Sequence, residues 1–191
     1  MMKYSSIKEL CDAAEAQGVK ISELCLKDQA EQMQRSCEEL YSQMEKNFDV
    51  MIDSVGKGND PGLRSTSGLT GGEGNKMLNY AEKTNGGLSG IFLTKAIGRA
   101  MCVSNCNAAM GRIVATPTAG SCGILHGCLV SMYEDKGFQK RDVVMSIFTA
   151  GAFGMVIAEK ASIAGAEGGC QAECGSASGM AAAALVELMG G

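Results

Sequence analysis

Apolar side chains along this chain return at steps of three and four, and no run of strict alternation interrupts them, so the pattern predicts helices and no strands. Ser6 and Glu9 have the spacing of a capping box, opening a short helix that Gly18 ends. After Ser22, apolar positions from Met33 through Cys37, Leu40, Met44, Phe48 and Met51 to Val55 describe one face, which predicts a single long amphipathic helix. From Gly56 the texture changes. Glycine-rich turns at 56–74, 84–87, 115–123 and 162–170 alternate with helices near 75–83, 88–110, 124–136, 141–160 and 172–189. The expected architecture is all-α, a single domain over 1–191. Residues 1–55 supply amphipathic helices, and 56–191 a helical core whose glycine-rich loops converge on a site.

Composition sharpens this picture. The 191 residues are 46% hydrophobic, enough to bury a real core. The 26 glycines are about twice the usual share of ~7%, and with no tryptophan and two prolines they predict small-residue helices in close approach. A net charge of −4 without clustered lysine or arginine argues against nucleic acid and anionic membrane surfaces as partners. The charge-free run Val143 to Ala158 is shorter than the ~18–20 residues of a membrane span and contains Gly151 and Gly154, so it reads as a buried helix. The nine cysteines are an odd count set mostly in helical patterns, and no charged-then-apolar leader opens the sequence. Reduced thiols and a cytoplasmic location follow as expectations.

Candidate chemistry lies in the turns. Arg64–Gly74 puts Ser65, Thr66, Ser67 and Thr70 among Gly68, Gly71, Gly72 and Gly74 just before a helix, the makings of a nest for a carboxylate. No Gly-Lys-Ser/Thr ending follows, so it is not a Walker phosphate loop. Ala115–Gly123 is a second such loop, where Pro117 fixes φ and Thr118, Gly120 and Ser121 offer donors. Thr84–Gly87 is a third. The stretch Gly165–Gly179 holds Cys170, Cys174, Glu167 and Glu173 ahead of an alanine-rich run. Cys170 near a helix N-terminus is placed where thiolate is favoured, while both cysteines also suit small buried positions. Cys102 and Cys106 share a helix face, and two thiols cannot hold zinc, so core packing is expected there. His126, the lone histidine, suits a packed or surface position better than a catalytic base.

Three segments together carry a resemblance: Ser65–Gly72, Asn107–Leu125 (with Ala-Thr-Pro-Thr-Ala-Gly-Ser-Cys-Gly) and Ala161–Glu173 (with Glu-Gly-Gly-Cys-Gln-Ala-Glu). In order and separation they resemble the α subunit of iron–sulfur-dependent L-serine dehydratases, from the N-terminus to the last residue. The resemblance implies an all-helical catalytic domain that binds a [4Fe–4S] cluster and converts L-serine to pyruvate and ammonia, feeding gluconeogenesis. It implies a β subunit as partner and an oligomer. It makes Cys170 a cluster ligand, while Cys174 is outside the shared pattern. The nest reading makes Ser65, Ser67, Gly68, Thr70, Gly71, Gly72, Thr118 and Gly120 the substrate-binding set. The proton-abstracting base is unassigned, since a β subunit also contributes to the site in split members.

The departures from the family pattern are local, except in length. Glu73-Gly74 stands where an acidic residue followed by alanine is usual, and His126 where proline is usual. The family's catalytic subunit continues into Cys-Asp-Pro and Pro-Cys motifs that supply two more cluster ligands, so an incomplete catalytic domain that does not complete the cluster is the expectation. β-Elimination from another amino acid, such as desulfidation of L-cysteine, and a non-catalytic fragment remain as alternatives.

Overall fold

Ser6 is in extended backbone and its hydroxyl accepts the Glu9 amide at 3.2 Å, while Gly18 takes the left-handed conformation that closes the turn, so the first helix starts and stops where its caps dictate. The computed structural model describes residues 4–191, and among these there is no strand. The helices are α1 (Ile7–Gln17), α2 (Ile21–Met33), α3 (Cys37–Gly58), α4 (Glu73–Thr84), α5 (Gly90–Ala108), α6 (Cys122–Lys136), α7 (Lys140–Lys160) and α8 (Gly165–Leu188), with a 3₁₀ turn at Gly87–Ser89. The all-α expectation holds.

Two boundaries differ from the pattern. The amphipathic run is not one helix, because Gln34 adopts φ 52° and ends α2, leaving Met33 exposed. Ser36 and Glu39 then form a second capping box, each side chain accepting the other's backbone amide at 3.0–3.1 Å, and α3 begins. The turn expected over 162–170 is already helical from Gly165, with the helix broken at Gly169 (φ 74°, ψ 176°).

The helices form two compact units, one holding the chain up to Lys46 together with Gln139–Gly191, the other Asn47–Phe138. In the first, Leu10, Leu24, Leu40, Phe148 and Ala152 make the core, and α7 packs against α2 and α8. By length and composition α7 could cross a membrane, yet 56% of its apolar window is buried inside the protein, which accounts for its hydropathy by core packing. Glu187 of α8 is buried there. Its carboxylate accepts the Thr149 hydroxyl at 2.6 Å and the Ser22 amide at 3.1 Å, so it joins α8 to α7 and caps α2, whose own N-cap residue Lys20 provides no side-chain bond.

The second unit is built on α5, which packs against α4 and α6. The approach to α6 is close enough that a Cβ on Gly127 would lie 2.6 Å from the Ala96 carbonyl oxygen. Arg99 of α5 is buried. It bonds Ser131 at 2.8 Å and Glu134 at 2.7 Å and is paired with Asp135. Cys102 and Cys106 are both buried, as core packing requires.

Candidate substrate-binding site

The loop before α4 is held in shape by its own donors. The Ser65 amide bonds the Thr70 carbonyl at 2.8 Å, the Gly68 amide bonds Ser65 at 2.9 Å, and the Thr70 amide reaches the Ser65 hydroxyl at 3.2 Å. The Ser65 and Ser67 hydroxyls pair at 3.1 Å, and Arg64 braces the base of the loop through the Pro61 and Leu63 carbonyls. Gly71, at φ 144°, passes so close to the Leu63 carbonyl that any side chain would collide with it. Most amides of this nest are therefore spent internally. The hydroxyls of Thr66 and Thr70 have no partner among the described residues and face solvent.

A carboxylate does sit in the nest, and it is the chain's own. Both oxygens of Glu73 accept the Gly71 amide, at 2.8 and 3.0 Å, and one also accepts Asn105 Nδ2 at 2.8 Å. The Gly71 amide, the amide of Glu73 itself and Asn105 hold this carboxyl below its usual range, so it is an anion at neutral pH. Asn105 also accepts the Gly74 amide at 3.1 Å. Sequence reasoning does not single out the pairing of Glu73 with Asn105. The only signal for Asn105 is an amide side chain at a buried position of α5.

The second loop meets the same end of α5. The Thr66 amide bonds the Ala108 carbonyl at 3.1 Å, and Asn107 Nδ2 reaches the Ala119 carbonyl at 3.2 Å, so residues 105–108 adjoin both loops. Thr118 and Ser121 pair their hydroxyls at 3.1 Å, the Thr116–Pro117 bond is cis, and Gly120 is exposed. The third loop lies elsewhere. The Thr94 hydroxyl bonds the Gly86 carbonyl at 2.8 Å at the start of α5, a helix about 28 Å long, so Thr84–Gly87 is at the opposite end from the other two. Of the loops in this unit, two converge and one does not.

His126 is fully buried, and neither ring nitrogen has a hydrogen-bond partner. Burial drives its pKa down to about 4, against an upward influence of the Cys122 backbone, so the ring is neutral and packed. Cys122, at the start of α6, is likewise pushed up to about 11 by burial.

Cys170, in the other unit, directly follows the break at Gly169 and is exposed, with its sulfur 3.6 Å from that of Cys174. The bond with Cys170, then burial, raises the Cys174 thiol above its ordinary pKa. Among the described residues no three or more His, Cys, Asp or Glu side chains are grouped to hold a metal ion. Two adjoining thiols are fewer than an iron–sulfur cluster requires. The donor set does not by itself fit a whole [4Fe–4S] cluster.

The family described as serine dehydratase alpha chain matches residues 16–191, which include both converging loops and the Cys170 segment. The chain belongs to that family. Its relatives include the probable L-serine dehydratase, alpha chain, of Bacillus subtilis, 43% identical over 98% of this chain and 62% of the relative. The L-serine dehydratase, alpha chain, of Peptoniphilus asaccharolyticus is 40% identical over 98% of this chain and 64% of its own length. L-serine dehydratase 2 of Escherichia coli is 33% identical over 98% of this chain and 42% of its own length. The serine dehydratase α-chain segment described here thus spans less than two thirds of each of these relatives.

Proposed function

We propose that this chain is the α-chain part of an L-serine ammonia-lyase, working in the cytoplasm in an oligomer with a β subunit and supplying pyruvate for gluconeogenesis. The observation that carries the reading is the relation, over 98% of the chain, to proteins named L-serine dehydratase, alpha chain. The two hydroxyl-rich loops at one end of α5 support it, because an amino-acid substrate must be held by its carboxylate while its β-hydroxyl leaves. In this reading Ser65, Ser67, Gly68, Thr70, Gly71, Gly72, Thr118 and Gly120 surround the carboxylate. The Thr70 hydroxyl is available to donate, whereas the Gly71 amide, which the Glu73 carboxylate holds in the free chain, serves the substrate only when Glu73 releases it. Loss of the α-proton and the β-hydroxyl as water leaves aminoacrylate, which tautomerises to the imine and takes up water to give pyruvate and ammonia. Cys170 would supply one thiolate to a [4Fe–4S] cluster whose remaining ligands lie outside the described residues.

The test is to place this segment in an α chain of the relatives' full length, co-purify it with its β subunit, reconstitute anaerobically with iron and sulfide, and measure pyruvate and ammonia from L-serine and from L-cysteine. Equimolar pyruvate and ammonia from serine is the expected result. Release of sulfide from cysteine with no turnover of serine would overturn the substrate assignment, and an assembled complex inert to both would overturn the reading as a whole.

A further inference from the structure

We propose that Cys170 and Cys174 form an oxidisable dithiol, closed to an intrahelical disulfide by exchange with a low-molecular-weight disulfide of the glutathione class. The two sulfurs are already in contact at 3.6 Å, and Cys170 is exposed while Cys174 is half-buried. Residues four apart on a helix have Cα atoms about 6.2 Å apart by helix geometry, inside the roughly 4.4–6.8 Å that a disulfide spans. The Cβ atoms must still draw together. The local backbone permits that movement, because Cys170 is the first residue after the break at Gly169, where φ is 74°, and Gly175 follows Cys174 on the exposed side. Only the opening turn after the break has to tighten, and the buried positions Ser176, Ala177 and Met180 farther along α8 keep their places.

The segment before the break is built to lie against this turn. Gly165 and Gly168 pass so near Glu173 and Ala172 that a Cβ at either would be 2.5–2.6 Å from those side chains, and Ser162 secures Glu167 through a 2.9 Å hydrogen bond. A disulfide formed at an exposed, locally tightened turn is of the labile kind that exchange can open again. The chemistry balances without a further reactant. The exposed Cys170 sulfur, as thiolate, attacks one sulfur of the small disulfide, forming a mixed disulfide and expelling one thiolate. Cys174 then attacks the Cys170 sulfur, expels the second thiolate and closes the bond. Two protein thiols are oxidised by two electrons, the small disulfide is reduced to two thiols, and the two protons pass to the thiolates released. Resting on the proposed function, closure would withdraw Cys170 from cluster ligation; the dithiol itself does not depend on that role.

The experiment equilibrates the reduced full chain in buffers of increasing oxidised-to-reduced glutathione ratio, quenches with acid, alkylates free thiols and maps the peptides by mass. The fragment carrying both cysteines should escape alkylation, at a mass two hydrogens below that of the unalkylated peptide, at a ratio about tenfold below that at which Cys11 and Cys37, the other exposed cysteines, take up glutathione, because the second step is intramolecular. In Cys174→Ser, with circular dichroism matching the parent, Cys170 should stop at the mixed disulfide. The proposal is overturned if both thiols of the parent stay alkylatable while Cys11 and Cys37 react, or if Cys170 accumulates as a mixed disulfide with Cys174 intact. Because the readout is taken on the chain without iron, failure of the cluster assignment would leave this result standing, and failure here would leave the cluster assignment untouched.

Discussion

His126 shows what a single buried titratable group does to the fold. The ring is neutral when folded, with a pKa of about 4, and returns to an ordinary value near 6.5 when the chain unfolds. Between those values the unfolded state binds the extra proton, so stability falls as pH drops from about 6.5 to about 4 and levels off below. The loss is on the order of 3 kcal/mol for this group. His126→Leu, which keeps an apolar side chain in the same place, should remove that part of the acid loss; comparing urea midpoints at pH 7 and pH 4.5 for parent and variant checks it, and an equal drop in both would contradict the assignment. Asp135 adds to acid sensitivity at lower pH. Burial pushes its carboxyl up, but the hydrogen bond and charge of Arg99, with Lys95, outweigh this and hold it below the usual range, so its contribution is lost as pH falls through that lowered value. The sequence leaves His126 open between a packed and a surface position, and only the packing of the fold decides for the packed one. The pairing of Glu73 with Asn105 was not legible either, because it joins residues 32 apart and exists only once α4 lies on α5.

At the scale of elements, caps were the readable signals and periodicity alone was not enough. Ser6, Glu9 and Gly18 fix α1 from local chemistry. Across residues 33–37 the step of four continues through a real break, so the apolar pattern runs two helices together, while the second capping box at Ser36 and Glu39 marks where α3 starts. The start of α8 was hidden for the opposite reason, since paired glycines read as a loop although only Gly169 leaves helical geometry. The contact of α5 with α6 depends on the missing side chain at Gly127. Gly127→Ala should cost about 1–3 kcal/mol by forcing the helices apart, read as a lower urea midpoint. The same substitution at Gly151, where a Cβ would meet nothing within 4 Å, should not lower it. Equal midpoints for the Gly127 variant and the parent would contradict the close packing.

Over the whole molecule, the glycine-rich loops were recognisable from composition, but their grouping was not, because it follows from which end of α5 each one reaches. The loops at 64–74 and 115–123 meet residues 105–108, whereas Thr84–Gly87 sits at the far end of that helix. That difference sets the proposed substrate loops apart from Thr84–Gly87, which supplies an internal control. The most direct test is the serine KM of the assembled enzyme carrying Thr70→Ala, compared with the same enzyme carrying Thr84→Ala, whose hydroxyl only bonds the Tyr80 carbonyl at 2.8 Å. Loss of a hydroxyl donor to a substrate carboxylate should raise KM about tenfold or more in the Thr70 variant, with the Thr84 variant unchanged. A serine KM unchanged in the Thr70 variant, or raised only in the Thr84 variant, would contradict the placement of the substrate at this end of α5.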